Sequence, residues 1–340
     1  MQSSENIAAI RQTAERLLRV PVRDIEPVRK GGNSRVCRVE TSAGRFALKQ
    51  YPPDDNRDRQ GREARAFAFV ARAQLGRTPR LVAVDPQARV SLFSWIDGTA
   101  IDNVSNADVE EFAAFQLALD RAADARARSE IGEAAEACLS GRRILANIQT
   151  RLARLADVRD DFPGFKSFLD EALRPAIAES EQAARKRLAV LKTEFDADLP
   201  LDRRSLIPSD FGIHNALRVG DGGIHFFDFE YFCWDDPVTS IGNFVFHPGM
   251  ALVDEQQRRY REILTAHFGT AMERRFLALQ PLYVLRWCAI ILGEFLPERW
   301  LHRLQAGAGR SEWDTVRAEQ LQKARQQLAR LPILEAQADA

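Results

Sequence analysis

The sequence predicts an α+β fold in which an antiparallel sheet precedes a larger, mainly helical region. Between Ile25 and Trp95, short apolar runs alternate with small-residue turns, a pattern typical of consecutive β-hairpins. Beyond Gly98, apolar residues recur at intervals of three and four over long stretches, which indicates amphipathic helices. We therefore expect two domains, a sheet domain at residues 1–98 and a helical domain at residues 99–340.

The composition of the 340 residues is that of a soluble globular protein, with 45% hydrophobic and 28% charged side chains. Lys plus Arg equals Asp plus Glu, at 48 each, so no overall charge would attract a nucleic acid or a membrane surface. The four cysteines are widely scattered and form no Cys-x-x-Cys pair, which is typical of a reducing compartment. Charged side chains interrupt the N-terminal region, so we predict a cytoplasmic protein without a nucleic-acid or membrane partner. Nothing in the sequence indicates its oligomeric state.

The first hundred residues contain the elements of the sheet domain. Apolar residues at helical spacing predict helices at Asn6–Leu18 and Arg57–Ala73. Apolar runs also flank the small-residue turn at 31–34, where they predict the first hairpin. Further strands are predicted at Phe46–Tyr51, Arg80–Val84 and Arg89–Trp95. Because hairpins follow one another along the chain, we expect these strands to pair in antiparallel order.

The second region is predicted to be mostly helix. Six stretches have apolar residues at helical spacing: Ala107–Arg126, Ser140–Ala156, Phe165–Phe195, Glu255–Phe268, Thr270–Phe295 and Ser311–Leu331. Tyr283, Trp287 and Glu294 are possible contacts for a bound small molecule, but aromatic residues at helical spacing more often belong to the core. The Asp236-Pro237 step predicts another helix start, with Asp236 as its N-cap.

The stretch from Leu206 to Glu230 carries the residues with the clearest chemistry. It contains Asp210, then Asn215, then Asp228. A glycine-rich turn separates two predicted strands, so a hairpin should return Asp228 close to Asn215. An amide and a carboxylate side by side supply oxygen ligands suited to Mg²⁺, and Asp210 would orient a hydroxyl toward a metal-bound phosphate. Each residue alone would be a turn former, and it is their order and spacing that favour a site.

The Asp-x4-Asn spacing, followed by a strand that ends in Asp-Phe-Glu, resembles the catalytic core of the aminoglycoside phosphotransferase and choline kinase family. In these kinase-like small-molecule phosphotransferases the acid follows His-Gly, whereas here the sequence is Pro208-Ser209-Asp210. The resemblance implies a protein-kinase-like bilobal fold. Residues 1–98 would form the nucleotide-binding lobe, and residues 99–340 would form the helical lobe with the catalytic loop and the acceptor site.

The resemblance also implies how the nucleotide is held from the sheet. Lys49 would bind the α- and β-phosphates, with Glu63 as its ion-pair partner. Ala47 lies on the same face of the strand, where a small side chain would leave room for the adenine ring. The alternative for Lys49 is a lysine at a strand end that reaches solvent.

Two further segments would enclose the nucleotide. The turn between the first two strands would cover the phosphates, because glycine lets backbone N–H groups approach an anion; it comprises Gly31, Gly32, Asn33 and Ser34. Taken alone, such a turn can equally well join two strands and do nothing more. The connector between the lobes would hydrogen-bond the adenine edge with main-chain groups; it comprises Ser94, Trp95 and Ile96.

The leading hypothesis is transfer of the γ-phosphoryl group of ATP or GTP to a hydroxyl of a small molecule. Lys49, Asn215 and Asp228 would hold the nucleotide and Mg²⁺, and Asp210 would accept the proton of the acceptor hydroxyl or position that hydroxyl. The acceptor would be an aminoglycoside-like compound, an amino alcohol or a sugar. Two alternatives remain open: a nucleotide-binding regulator without turnover, which the missing loop histidine favours, and a structural scaffold that binds no nucleotide.

Overall fold

The structure is a computed structural model that describes residues 2–28, 34–53, 55, 57–158, 162–220, 222–305 and 312–339. Two compact units are present. The first comprises Met1–Asp102, Ala122–Gly132 and Ile213–Cys233, and the second comprises Asn103–Arg121, Glu133–Gly212 and Trp234–Ala340. The first unit therefore takes in two later segments besides the N-terminal region. The roles assigned to residues 1–98 and 99–340 stay predictions.

A five-stranded antiparallel sheet in the order β1-β2-β3-β5-β4 forms the centre of the first unit. Its strands are β1 (Val22–Val28), β2 (Arg35–Thr41), β3 (Gly44–Gln50), β4 (Leu81–Asp85) and β5 (Val90–Ser94). Helix α1 (Gln2–Leu18) packs Ile10 and Ala14 into the apolar core that one face of the sheet shares with it. Helix α2 (Arg59–Arg72) connects β3 to β4. The predicted antiparallel hairpins are confirmed, and β5 rather than β4 pairs with β3.

Two smaller sheets complete the β structure. One consists of β6 (Gly98–Ala100), β8 (Ala216–Val219) and β9 (Ile224–Phe226), and the other pairs β7 (Ser205–Ile207) with β10 (Cys233–Asp235). Gly98 lies opposite Val219 in β8. A Cβ atom at residue 98 would lie 2.8 Å from the Arg218 carbonyl oxygen, so this close approach of two strands requires glycine.

Helices make up most of the second unit, and α4 belongs to the first. In chain order they are α3 (Asn106–Arg121), α4 (Ala125–Glu130), α5 (Gly141–Ala156), α6 (Phe165–Ser167), α7 (Arg174–Val190), α8 (Pro237–Phe246), α9 (Asp254–Phe268), α10 (Thr270–Ile291), α11 (Pro297–Gln305), α12 (Trp313–Leu328) and α13 (Leu331–Asp339). Among the described residues, one stretch, Thr270–Phe295, is long and apolar enough to cross a membrane, but 89% of its apolar window is buried inside the protein. Tyr283 and Trp287 are buried within it, which confirms their assignment to the core.

Two predicted helices are interrupted. The helix expected at Phe165–Phe195 is divided by a π-helical turn at Phe168–Leu173, and α7 ends at Val190. Pro175 at the start of α7 has no N–H group and cannot donate a hydrogen bond to the preceding turn. Because the regular series of α-helical hydrogen bonds is broken at this point, the preceding turn widens to a π-helical turn. The helix expected at Ala107–Arg126 ends at Arg121, because the Asp124 carboxylate accepts the Ala127 N–H at 2.6 Å and starts α4 instead.

Two adjacent buried acids join β10 to α8. Asp236 is the predicted N-cap: its Oδ1 accepts the Val238 N–H at 3.0 Å, and its Oδ2 accepts a hydrogen bond from Arg275 at 2.7 Å. Asp235 instead accepts backbone N–H groups, from Cys138 at 2.8 Å and from Asp236 at 2.8 Å. Burial raises the pKa of Asp235 to about 7, despite these hydrogen bonds.

The raised pKa of Asp235 predicts how folding stability depends on pH. An aspartate in an unfolded chain titrates near pH 4, so between about pH 4 and 7 the folded protein binds a proton that the unfolded chain does not. The free energy of unfolding should therefore fall as the pH rises through this interval, by at most about 1.4 kcal/mol per pH unit, when compared with Asp235→Asn. Urea unfolding of both proteins at a series of pH values measures this difference. A difference that stays constant from pH 4 to 8 would contradict the raised pKa.

Candidate active site

The ammonium group of Lys49 lies inside the first unit, where it contacts three carboxylates. Its Nζ atom is 2.8 Å from Oε2 of Glu63, 2.7 Å from Oδ1 of Asp228 and 3.2 Å from Oε2 of Glu230. Lys49 is only 5% exposed, so it does not reach solvent as a lysine at a strand end would. The structure thus brings together residues that the sequence singles out in three separate segments.

Glu63 is held by α2 and has hydrogen-bond partners on both carboxylate oxygens. It is 1% exposed; Oε2 accepts a hydrogen bond from the Tyr51 hydroxyl, and Oε1 accepts the Phe229 N–H at 3.0 Å. The arginines of α2 that stand close to Glu63 in sequence have other partners: Arg62 donates to the Arg57 carbonyl, Arg65 pairs with Asp58, and Arg72 pairs with Glu130. Glu63 therefore forms its ion pair with Lys49 and not with these arginines.

Stacked aromatic rings attach α2 to the segment that carries Asp228. The ring of Phe229 stacks with Phe67 of α2, at a centroid distance of 5.1 Å, and with Phe232, at 5.8 Å. Phe69 of α2 also contacts Phe232, with centroids 5.9 Å apart. Ring pairs of this kind contribute about 0.5–1.5 kcal/mol each beyond their buried area. They fix the position of α2, and with it the position of Glu63.

The charges of this cluster do not balance. Arg59 joins it, with Nε 3.6 Å from Oε1 of Glu230, so three carboxylates surround two cations. Burial disfavours the ammonium form of Lys49, but Asp228, Glu63 and Glu230 outweigh this effect and raise its pKa well above the usual range. Burial also raises the pKa of Glu63 and that of Glu230, which Lys49 offsets only in part. The excess of negative charge fits a site for a metal cation.

A hairpin brings Asn215 and Asp228 to the same end of two paired strands. Ala216 of β8 lies opposite Phe226 of β9, and the Phe227 N–H donates to the Asn215 carbonyl at 3.0 Å. Asp228 follows with a left-handed φ of 65°, which aspartate tolerates better than most residues. Its side chain is 31% exposed, so the carboxylate can reach a ligand in addition to Lys49. An amide oxygen and a carboxylate at this edge are the donor types that Mg²⁺ prefers.

Of the predicted phosphate-covering turn, only Ser34 is described. Its hydroxyl donates to Oε2 of Glu230 at 3.3 Å, which places the end of the turn at the Lys49 cluster. Gly31, Gly32 and Asn33 lie outside the described residues. The role of the turn in covering phosphates stays a prediction.

The residues predicted to contact adenine are all half-buried: Ala47 in β3, Ser94 at the end of β5, and Trp95 and Ile96 after it. The Ser94 N–H donates to the Arg80 carbonyl at 2.8 Å, and the Trp95 N–H donates to the Arg45 carbonyl at 3.2 Å. These two N–H groups are therefore used by the sheet itself. Contact of the connector with adenine stays a prediction.

Three members of the cluster were not predicted as site residues: Tyr51, Arg59 and Glu230. Two of them carry a signal in the sequence. Tyr51 follows Lys49 by two residues, and Glu230 follows Asp228 by two, a spacing that puts side chains on the same side of an extended chain. Arg59 offers no comparable signal, because it is one of several arginines around the start of α2.

Asp210 lies in the second unit, in the loop that follows β7. Ser209 before it has a left-handed φ of 60°, and the Asp210 N–H donates to the Pro208 carbonyl at 2.8 Å. Asn243 of α8 donates through Nδ2 to the Ser209 carbonyl at 2.9 Å. A ring nitrogen of His247, the residue after α8, lies within 4.8 Å of a carboxylate oxygen of Asp210. Two polar side chains at the end of α8, Asn243 and His247, thus lie beside the loop.

Comparison with protein-family models gives a match that covers most of the chain. The model described as the phosphotransferase enzyme family matches residues 24–279. By sequence, no curated protein matches the chain significantly.

Solved structures match at low sequence identity and almost full length. A spectinomycin phosphotransferase, in complex with ADP and spectinomycin, is 9% identical with a TM-score of 0.63, over 94% of this chain and 98% of that one. The choline kinase of Streptococcus pneumoniae is 16% identical with a TM-score of 0.59, over 96% and 99%. The ethanolamine kinase of Plasmodium vivax is 12% identical with a TM-score of 0.57, over 92% and 84%. These likenesses confirm the kinase-like α+β fold.

Replacement of Lys49 should destabilise the protein strongly. Lys49→Met keeps the apolar stem but leaves buried carboxylates without their cation, a change that typically costs about 3–5 kcal/mol. Arg45→Met is the matched control on the same strand, because its pair with Asp97 is exposed and such pairs contribute about 0–1 kcal/mol. Urea unfolding of the two variants and the wild type measures both losses. Equal losses would show that the Lys49 cluster is not held together as described.

Proposed function

Because the chain belongs to the phosphotransferase enzyme family, we propose that it transfers the γ-phosphoryl group of ATP to a hydroxyl group of a small molecule. The observation that carries this proposal is the contact of buried Lys49 with Asp228 at 2.7 Å. It joins a cation suited to phosphate and a carboxylate suited to a metal in one cluster. Lys49 binds the α- and β-phosphates, and Glu63 keeps its side chain in place.

The other nucleotide contacts come from the sheet of the first unit. The residues that cover the phosphates are Gly31, Gly32, Asn33 and Ser34, and those that contact the adenine are Ala47, Ser94, Trp95 and Ile96. The ADP bound to the spectinomycin phosphotransferase supports ATP as the donor, with GTP as the alternative.

Asn215 and Asp228 are the proposed ligands of Mg²⁺. When bound, the ion supplies positive charge to the phosphate oxygens, whose negative charge would otherwise oppose the transfer. The surplus carboxylate of the Lys49 cluster supports this assignment, because its uncompensated negative charge attracts a metal cation. The protein contributes the two ligands and their fixed hairpin geometry.

Asp210 is the proposed catalytic residue. The acceptor oxygen forms a bond to the γ-phosphorus as the bond from that phosphorus to the β,γ-bridging oxygen breaks, and the hydroxyl proton passes to the Asp210 carboxylate. The products are ADP and a phosphate ester. Positioning and charge neutralisation account for most of the catalysis in such a transfer.

The proposed acceptor carries both a hydroxyl and an amino group, as in an amino alcohol or an aminoglycoside-like compound, or is a related sugar. The names of the matched structures support this class, since they refer to spectinomycin, choline and ethanolamine. A cytoplasmic location is proposed as well, because the four cysteines are free and buried.

The direct test is consumption of ATP in the presence of a panel of amino alcohols, aminoglycosides and sugars. The wild type should turn over at least one acceptor, and Asp210→Ala should lower kcat by about 10²–10⁴-fold, the usual contribution of a general base. Binding of ADP, measured by its thermal shift, should be retained in this variant. Asp202→Ala is the control, because Asp202 is an exposed acid in the segment that precedes β7.

Turnover that survives in Asp210→Ala would remove this residue from the mechanism. Tight binding of nucleotide by the wild type without turnover on any acceptor would instead make the protein a regulator. If nucleotides caused no thermal shift at all, the protein would be a structural scaffold that binds no nucleotide.

The metal ligands can be tested without an activity assay. In the presence of ADP, addition of MgCl₂ should raise the Tm of the wild type, and excess EDTA should abolish the increase. Asn215→Ala and Asp228→Asn should each lose this Mg²⁺-dependent increase, because each removes an oxygen ligand or its charge. Asp97→Asn, a change at an exposed acid of the same unit, should keep it. An increase of wild-type size in both site variants would place the metal elsewhere.

A further inference from the structure

The turn before Asp210 has a backbone conformation that its central residue disfavours. Ser209 has a φ of 60°, and the Asp210 N–H donates to the Pro208 carbonyl at 2.8 Å, which closes a three-residue γ-turn around Ser209. A γ-turn with positive φ is rare and strained, and a residue with a Cβ atom adds to the strain. Such a conformation persists only where the surrounding structure holds it in place.

Asn243 is the side chain that holds this turn. Its Nδ2 atom donates to the Ser209 carbonyl at 2.9 Å, and its Oδ1 atom accepts a hydrogen bond from Arg286 at 3.0 Å. The orientation of the amide is unambiguous, because a guanidinium group can only donate and a carbonyl oxygen can only accept. Asn243 is 7% exposed and Arg286 is 8% exposed, so the bond between these two side chains is shielded from water, whereas the bond to half-buried Ser209 is shielded on the Asn243 side.

Arg286 is itself fixed by the packing of two helices. It lies on α10, whereas Asn243 lies on α8, and the neighbouring Trp287 donates through Nε1 to the Gly242 carbonyl of α8 at 3.3 Å. A second nitrogen of Arg286 is 4.0 Å from a carboxylate oxygen of Glu136. The contacts from α10 to Asn243 are therefore buried, and they end at the carbonyl of half-buried Ser209.

We propose that Asn243 and Arg286 are positioning residues that set the place of Asp210 by clamping the Ser209 carbonyl. This inference rests on the proposed role of Asp210 as the group that receives the hydroxyl proton. Proton transfer requires the carboxylate to lie within hydrogen-bond reach of that hydroxyl. A misplacement of about 1 Å can lower the rate about 10²-fold. Release of the Ser209 carbonyl lets the strained turn relax, and the residue that moves with it is Asp210.

Asn243→Asp is the variant that separates the clamp from general packing. The carboxylate has the same shape and still accepts from Arg286, but it has no donor for the Ser209 carbonyl and repels that oxygen. Two quantities are measured: hydrogen exchange of the Asp210 amide, and kcat together with the KM values for nucleotide and acceptor. The amide should exchange about tenfold faster, the factor expected when one buried hydrogen bond is lost. The kcat should fall by about 10²-fold with the KM for nucleotide unchanged.

Gln280→Glu is the matched control, because Gln280 of α10 is buried and donates through Nε2 to the Leu334 carbonyl at 3.0 Å. It undergoes the same change from amide to acid without a contact to the catalytic loop. This variant should lose stability but keep the Asp210 exchange rate and the kcat of the folded protein.

Ser209→Gly supplies a rescue that a merely structural role would not give. Glycine adopts a positive φ without strain, so the double variant Ser209→Gly/Asn243→Asp should regain slow exchange at Asp210 and most of the lost kcat. The double variant also serves if Asn243→Asp alone does not fold.

Exchange at Asp210 that is the same in Asn243→Asp and in Gln280→Glu would overturn the clamp. Faster exchange with an unchanged kcat would overturn its role in positioning. A wild type that turns over no acceptor would refute the proposed function instead, and the exchange measurement would still decide whether the clamp exists.

Discussion

The structure of the first unit depends on one buried ammonium group. Lys49 is acceptable inside the protein only because carboxylates surround it, and those carboxylates are acceptable only because of Lys49. Its partners come from different elements: Glu63 from α2, and Asp228 with Glu230 from the segment after β9. Sheet, helix and hairpin must therefore all be in place before the Lys49 cluster is complete. A single electrostatic requirement thus links these three elements of the first unit.

In the second unit, the unfavourable feature that other contacts must offset is backbone strain and not a buried charge. Its proposed catalytic loop has no glycine at the position of positive φ, and Ser209 in that conformation carries a cost of about 1–3 kcal/mol. The two hydrogen bonds of Asn243, one to the Ser209 carbonyl and one from Arg286, offset this cost. The strain lies in the turn around Ser209, whereas the residues that offset it belong to helices α8 and α10. Helix packing far along the chain therefore supports the conformation of three residues.

Much of this arrangement is predictable from the sequence, for reasons that are local. Alternation of apolar residues and turn residues gave the antiparallel sheet, and the Asp-Pro step gave the cap at Asp236. The spacing of Asp228 from Asn215 across a glycine turn gave the hairpin. Each of these features is decided by neighbours within a few residues.

The parts that sequence reasoning missed are decided by distant contacts or by single residues. Asn243 meets Ser209 across 34 positions, and a serine gives no sign that its φ is positive, as a glycine would have done. Pro175 interrupts a stretch whose apolar spacing is otherwise continuous. Glu230 could have been predicted as a site residue, because its spacing from Asp228 is that of two side chains on the same side of a strand.

The contacts that hold α2 in place affect how the activity of such an enzyme can be regulated. For this helix to tilt away, the ion pair of Glu63, its bond from the Phe229 amide and the ring contacts of Phe67 and Phe69 would have to break together. Breaking a buried ion pair alone typically costs about 3–5 kcal/mol, whereas the coupling free energy of an effector is typically about 1–3 kcal/mol. The Lys49–Glu63 pair is thus formed before any ligand arrives, and a tilt of α2 would be a costly way to switch the protein on and off.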